Sequence, residues 1–513
     1  MSQPNDTPPP VSPPGFELDE VGLPALQAAL AEGRHTAVSL TTLYLARIEA
    51  IDRQGPLLRS VIETNPDALE TAARLDQERR AGSLRGPLHG IPILIKDNLD
   101  TADQMQTTAG SLAMSGFRAI ADALVVRRLR ESGAVLLGKT NLSEWANFRG
   151  HRSTSGWSSR GGQTRNPYVL DRNPSGSSSG SATAVAASLA AAAVGTETDG
   201  SILSPSAYCG LVGVKPTVGL LSRSGIIPIS HSQDTAGPMA RTVTDAAILL
   251  SVMAGSRAPT RTDATHSPSE ATGLHIPLHP GALRGARIGI ARDFFDFPKP
   301  VAAVLAMAID ALKSAGVELV DPIRLPAWHD FGAAEMTVLH HEFKAGLNDY
   351  LAARPGAPVP SLDALIAFND AHATEVLPWF GQEHLITANE CGPLTDPTYL
   401  DALTTCRRLA RDEGLDAAIN QHQLDAIVVP SGGPAHVTDW IFGDSGFSTG
   451  HSVAAVAGYP SVTVPAGHVH GLPVGLAFLG RPWSEGRLLG LAYAFEQATQ
   501  FRQPPRFLPT LPG

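Results

Sequence analysis

The chain has 513 residues and is short of lysine. Only six of its 39 basic residues are Lys (Lys96, Lys139, Lys215, Lys299, Lys313 and Lys344), the rest being Arg. It is short of charge altogether: 17% of residues are Asp, Glu, Lys or Arg, against roughly 25% in an ordinary globular chain. With a net charge of −10 it lacks the basic surface that phosphate backbones require, so no nucleic acid is expected as a partner. The three cysteines (Cys209, Cys391, Cys406) are odd in number and none stand at C-x-x-C spacing, which argues against a disulfide framework and a thiolate zinc site. The 17 histidines include no H-E-x-x-H. The nearest cluster, His340-His341-Glu342, places neighbours that do not share a helix face. No apolar run reaches the ~20 residues of a membrane span; Ser181–Val194 comes nearest and is short and Ala-rich. Residues 1–15 are Pro-rich and polar, without the basic start and apolar run of a signal peptide. The expectation is a cytoplasmic protein with no membrane partner and a disordered tail over 1–15. Nothing in the sequence indicates an oligomeric state.

What is present is enough apolar material, 43% of residues, for a large core. Leu23, Leu26, Leu30, Leu40, Leu43 and Ile48 recur at helical steps, so residues 18–80 read as helical. Ile91–Ile95 is a short Ile-rich run, a buried strand that ends at Lys96. A helix over Asp122–Ser132, a stop at Gly133 and a strand over Ala134–Gly138 follow. The same cadence returns at 286–320. This predicts an α/β fold, a mixed twisted sheet covered by helices on both faces. Residues 150–180 read as a long loop of Ser, Gly, Arg and Asn, and loops of that length are usually functional. Residues 255–285 read as a linker, 325–425 as a helical segment, 425–430 and 461–465 as strands, and 486–498 as a closing helix.

Two Ser/Gly turns flank an Ala-rich segment. The first is Asn173-Pro-Ser-Gly-Ser-Ser-Ser-Gly180, the second Gly195-Thr-Glu-Thr-Asp-Gly-Ser201, and a buried helix is expected between them over Ser181–Val194. Backbone N–H groups in such turns are presented without side-chain obstruction, as an oxyanion site needs; a plain Gly-rich turn would look the same. Lys96 shifts the balance. Burial would lower its pKa and make it a usable base for a serine proton, whereas an Arg would stay protonated; a strand-end lysine that reaches water and pairs with Asp97 or Asp100 would look the same in sequence. The other serine motifs fit poorly. Gly176-Ser-Ser178-Ser-Gly180 matches G-x-S-x-G but follows Asp171-Arg-Asn-Pro-Ser, which cannot be the required central strand. Gly450-His-Ser452-Val-Ala454 has the same defect. No S-x-x-K or Walker-type P-loop is present.

Taken together, Gly90–Lys96, Gly176–Ala182, Gly195–Ile202, Cys209-Gly-Leu-Val-Gly-Val-Lys-Pro-Thr217, Asp234–Arg241 and Ala457–Pro465 resemble the amidase signature family over residues 18–505. The resemblance implies one large domain over 16–510, with 325–425 shaping a cleft. It implies a triad of Ser201 as nucleophile, Ser177 as a cis-serine and Lys96 as base, with Ser178 supporting and the backbone N–H groups of Thr198, Asp199, Gly200 and Ser201 as oxyanion hole. It implies no metal and no cofactor. The text around Asn141–Arg149, Ser155–Pro167 and Ile226–Asp234 is similar to the bacterial peptide amidase branch, which implies deamidation of C-terminal carboxamides of peptides or amino acid amides. A broad amidase, aryl acylamidase or carbamate hydrolase, an amidotransferase A-type subunit, and an inactive binding module remain as alternatives. Four positions depart from the family pattern: Asp199 replaces the first Gly of Gly-Gly-Ser, Leu203 replaces an Arg, Glu197 replaces an Asp, and Ser179 replaces a Gly in the first Ser motif. Trp157, Trp328, Trp379 and Trp440 are candidates for lining the cleft, or for the core.

Overall fold

The computed structural model describes residues 15–255, 274, 276–326, 328–446 and 449–511, at 328 the backbone only. The tail expected at 1–15, apart from its last residue, and most of the linker at 255–285 lie outside these residues.

The strands in chain order are β1 (Val61–Thr64), β2 (Pro92–Lys96), β3 (Val135–Thr140), β4 (Trp157–Ser158), β5 (Gly162–Gln163), β6 (Ala192–Glu197), β7 (Val212–Lys215), β8 (Thr235–Ala240), β9 (Arg287–Ala291), β10 (Glu318–Ile323), β11 (Ala426–Gly432), β12 (Ser461–Val469) and β13 (Leu472–Leu479). Among the described residues, eleven of these form one sheet in the order β1-β3-β2-β6-β8-β7-β12-β13-β11-β9-β10. It is mixed: β2 runs parallel to β3 and β6, and β9 parallel to β10 and β11, while β6–β8, β7–β12 and β12–β13 are antiparallel. The parallel neighbours are joined by helices, Leu124–Glu131 between β2 and β3 and Lys299–Ser314 between β9 and β10, because a parallel connection needs a crossover.

Both faces of the sheet are covered. Along β11, Ala426 and Val428 enter one apolar cluster while Ile427 and Val429 enter another, and Leu476 and Phe478 of β13 alternate in the same way with Ala477 and Leu479. Period-two alternation into two cores is the mark of a sheet packed on both sides. The architecture is a single large α/β domain with a mixed central sheet flanked by helices.

Three expectations are corrected. Residues 18–80 are not helical throughout: the edge strand β1 interrupts the helices Leu23–Ala31, Ala37–Arg47 and Ala68–Arg80 and pairs with β3. The helix expected over Ser181–Val194 is only Ser179–Ala186. Ser188 takes φ +54° and the chain returns as β6 between β2 and β8. An Ala/Val run apolar on all sides carries no period, so pairing decides its state. That return strand brings the two Ser/Gly turns together. Finally, residues 150–180 hold the short β4–β5 pair and are tied down by buried Asn side chains. Asn141 Nδ2 donates to Gly162 O and Thr164 Oγ1 (both 3.0 Å), and Asn173 Nδ2 donates to Ser155 O at 2.9 Å.

Candidate active site

Lys96 ends β2, flanked by the parallel strands β3 and β6, and is fully buried. Its Nζ lies 2.8 Å from Ser177 Oγ, 3.0 Å from Ser178 Oγ, 2.9 Å from Thr196 Oγ1 and 3.3 Å from Thr196 O. No carboxylate lies within ion-pair distance of this ammonium among the described residues. Burial therefore pulls its pKa down to about 7, against the pull of the Glu197 and Asp234 charges the other way. Lys139 and Lys215 are also wholly buried, and burial lowers both. Their nitrogens reach carbonyls or a threonine, Leu99 O and Thr107 Oγ1 for Lys139 and Pro216 O for Lys215, and no serine.

The first turn is clamped by close packing. The Gly176–Ser177 peptide bond is cis. A Cβ at Gly180 would meet the Asn141 backbone nitrogen at 2.6 Å, so this position requires glycine, and one at Gly176 would stand 2.9 Å from Ser155 Oγ. Ser177 O accepts from Ser143 N at 3.1 Å. Ser178 Oγ donates to Thr196 O (3.0 Å) and accepts from Thr196 N (3.2 Å).

The second turn follows β6. Gly200 takes φ +74°, and among the described residues the N–H groups of Asp199, Gly200 and Ser201 donate to no protein group. A row of unpaired donors at a cleft is what an anionic oxygen requires. Glu197 Oε2 accepts from Ile202 N (2.7 Å) and Leu203 N (3.0 Å), fixing the chain just beyond Ser201. The Ser201 hydroxyl makes no protein hydrogen bond among the described residues, while its carbonyl accepts from Ser178 N at 3.2 Å. Thus Lys96, Ser177 and Ser178 share hydrogen-bond distances, and Ser201 joins them through its backbone.

Several residues here carry no sequence signal of their own. Thr196 contacts Lys96, and Asn98 Nδ2 donates to Thr196 Oγ1 at 3.0 Å. Asp234, raised by burial to about 6, accepts from Thr198 Oγ1 (2.6 Å) and from Ile229 N and Ser230 N. Gln233 Nε2 bridges Thr198 O (3.3 Å) and Glu335 Oε1 (3.0 Å). Most of them sit within or beside the motifs quoted above, but their roles depend on register, which spacing does not reveal. A pocket opens beside them, lined by polar Asn98, Thr196, Thr198 and Asp234 and apolar Ile226, Ile227 and Ile229.

The His340-His341-Glu342 cluster takes another role. Glu342 accepts from Ser230 Oγ (2.6 Å), Ser232 N (3.0 Å) and Tyr399 OH (2.8 Å), tying the long helix Trp328–Ala352 to the loop before β8. Among the described residues no group of three or more His, Cys, Asp or Glu is arranged to hold a metal ion, and no helix is long and apolar enough to cross a membrane. Of the tryptophans, Trp157 is buried against Phe380 and below Arg149, and Trp379 faces Trp440 at 4.6 Å with half its surface exposed. The Trp328 side chain lies outside the described residues.

Similar proteins cover nearly the whole chain. The family model described as Amidase matches residues 39–489. The native peptide amidase of Stenotrophomonas maltophilia superposes with a TM-score of 0.88 at 52% identity, over 96% of this chain and all of that one. A probable amidase of Arabidopsis thaliana is 41% identical over 96% of this chain and 93% of its own length. A glutamyl-tRNA(Gln) amidotransferase chain of the A type, from Moorella thermoacetica, is 34% identical over 90% of this chain and 93% of its own length. The chain therefore belongs to the amidase signature family and is an amide hydrolase.

Proposed function

We propose that the protein removes ammonia from C-terminal carboxamides of peptides or amino acid amides through an acyl-enzyme on Ser201. In this reading neutral Lys96 takes a proton from Ser177 as Ser177 takes that of Ser201, and Ser201 Oγ attacks the amide carbon. The oxyanion accepts from the N–H groups of Thr198, Asp199, Gly200 and Ser201. The C–N bond breaks, the proton returns through Ser177 to the leaving ammonia, and water releases the carboxylate by the same relay. Ser178 holds Lys96 and β6 in register.

The observation that carries the reading is a fully buried Lys96, its pKa drawn to about 7, 2.8 Å from Ser177 Oγ. A base of that kind is matched to neutral pH. The 52% identity to a peptide amidase over 96% of the chain supports the substrate class. The same reading takes residues 16–510 as one domain and the helices of 325–425 as a cleft wall, fastened through Glu335 and Glu342.

The test is ammonia release by the purified chain, compared as kcat/KM across peptide amides, aryl anilides, fatty amides and carbamates. Peptide amides should dominate. A dominant rate on anilides or carbamates moves the assignment to the broader amidases. Release only in the presence of added partner proteins moves it to the amidotransferase type.

A further inference from the structure

Asp199 is where the second turn departs from Gly-Gly-Ser, and the structure sets a histidine against it. His451 Nδ1 lies 3.4 Å from Asp199 Oδ1, and each of these two atoms is buried without a hydrogen bond. His451 stands at the start of the helix Ser452–Ala457, in the Gly450–Ala454 segment that the serine-elbow reading leaves unused. Its ring packs directly on Gly200: a Cβ there would be 2.5 Å from His451 Cε1 and 3.1 Å from Nε2. One imidazole thus fills the side-chain space of residue 200 and opposes the carboxylate of residue 199.

Glu197 acts on His451 and Lys215 on Asp199. Glu197 lies at the end of β6, its Oε1 also buried and unpaired, and Lys215 ends β7 with its Nζ on Pro216 O. Burial draws the His451 imidazole down, but the Asp199 and Glu197 carboxylates outweigh it and hold it above its ordinary value. Asp199 also belongs to the row of N–H groups offered to the oxyanion. A bare carboxylate in that place opposes negative charge developing a few ångströms away.

We infer that His451 is a positioning residue for this reaction: as an imidazolium it neutralises Asp199 beside the oxyanion turn, and its ring holds the left-handed Gly200 in place. The inference rests on the acyl-enzyme reading above. Its signature is a loss in kcat, relieved by removing the carboxylate.

The experiment measures kcat and KM for ammonia release from one peptide amide, in wild type, His451→Asn and the double variant Asp199→Asn/His451→Asn. Ser201→Ala and wild type serve as controls for the parent reading; an inactive wild type fails that reading and takes this inference with it. His451→Asn is expected to lower kcat about tenfold or more with KM within about threefold, and the double variant to recover about threefold or more of the loss. A wild-type kcat in His451→Asn, or a double variant no faster than the single, overturns the inference. Should melting curves show His451→Asn unfolded, the wild-type pH profile decides. kcat is expected to decline on the alkaline side as the imidazolium deprotonates, and a level kcat up to about pH 10 overturns the inference.

Discussion

The backbone N–H of Ser178 donates to the carbonyl of Ser201 at 3.2 Å. This bond joins two turns separated by a helix and a strand. It exists because the Ala-rich segment folds back as β6 rather than continuing as a helix, so the strand carrying Thr196 lies beside the strand carrying Lys96. Ser178 supplies the bridge with its backbone and the support with its hydroxyl, which contacts Lys96 Nζ and both backbone groups of Thr196.

Ser178→Ala separates the two contributions. The backbone tie survives, but the contacts to Lys96 and Thr196 go, leaving buried polar groups less satisfied. The expected result is a folded protein with kcat lower by about ten- to a hundredfold. Steady-state kinetics and a melting curve check it, and an unchanged kcat would remove Ser178 from its supporting role.

The proposed base role of Lys96 sets the expected pH dependence. Its pKa is lowered to about 7 by burial, and only the neutral amine accepts a proton. Protonation as pH falls removes the base, so kcat/KM should decline below about pH 7, approaching about tenfold per unit. Lys96→Arg should be as inactive as Lys96→Ala, since a guanidinium stays charged. Substantial activity in the Arg variant, or a pH-rate profile flat through 7, contradicts the base role.

How much of this is legible in the sequence depends on what kind of information each residue carries. Lys96 stands out because a lysine ending an Ile-rich strand is rare in an Arg-rich chain, and Ser177 and Ser201 lie in ordered motifs. β2, β3, β9 and the helices joining the parallel strands follow from period and punctuation. β6 does not, because Ala192, Ala193 and Val194 are buried on both faces and pairing between β2 and β8 fixes their state. Thr196 and Asn98 escape a sequence reading because the contacts of Thr196 with Lys96 and with Asn98 depend on register. Glu342 is visible in the sequence only as part of a histidine cluster, whereas its partners Ser230, Ser232 and Tyr399 are distant along the chain.

Gly180 tests the packing that holds the first turn. A Cβ there would meet the Asn141 nitrogen at 2.6 Å, and backbone cannot step aside as a flexible side chain can. Gly180→Ala should destabilise the fold by about 1–3 kcal/mol or more and lower the yield of active protein. A melting temperature equal to that of wild type would show that this contact is not tight.

The central claim is that Ser201 forms the acyl-enzyme. The most direct measurement is ammonia release from a peptide amide by Ser201→Ala beside wild type, with circular dichroism to compare the folds. The account predicts a native-like spectrum and no release above background for the variant. A folded Ser201→Ala protein that still releases ammonia at the wild-type rate would contradict it.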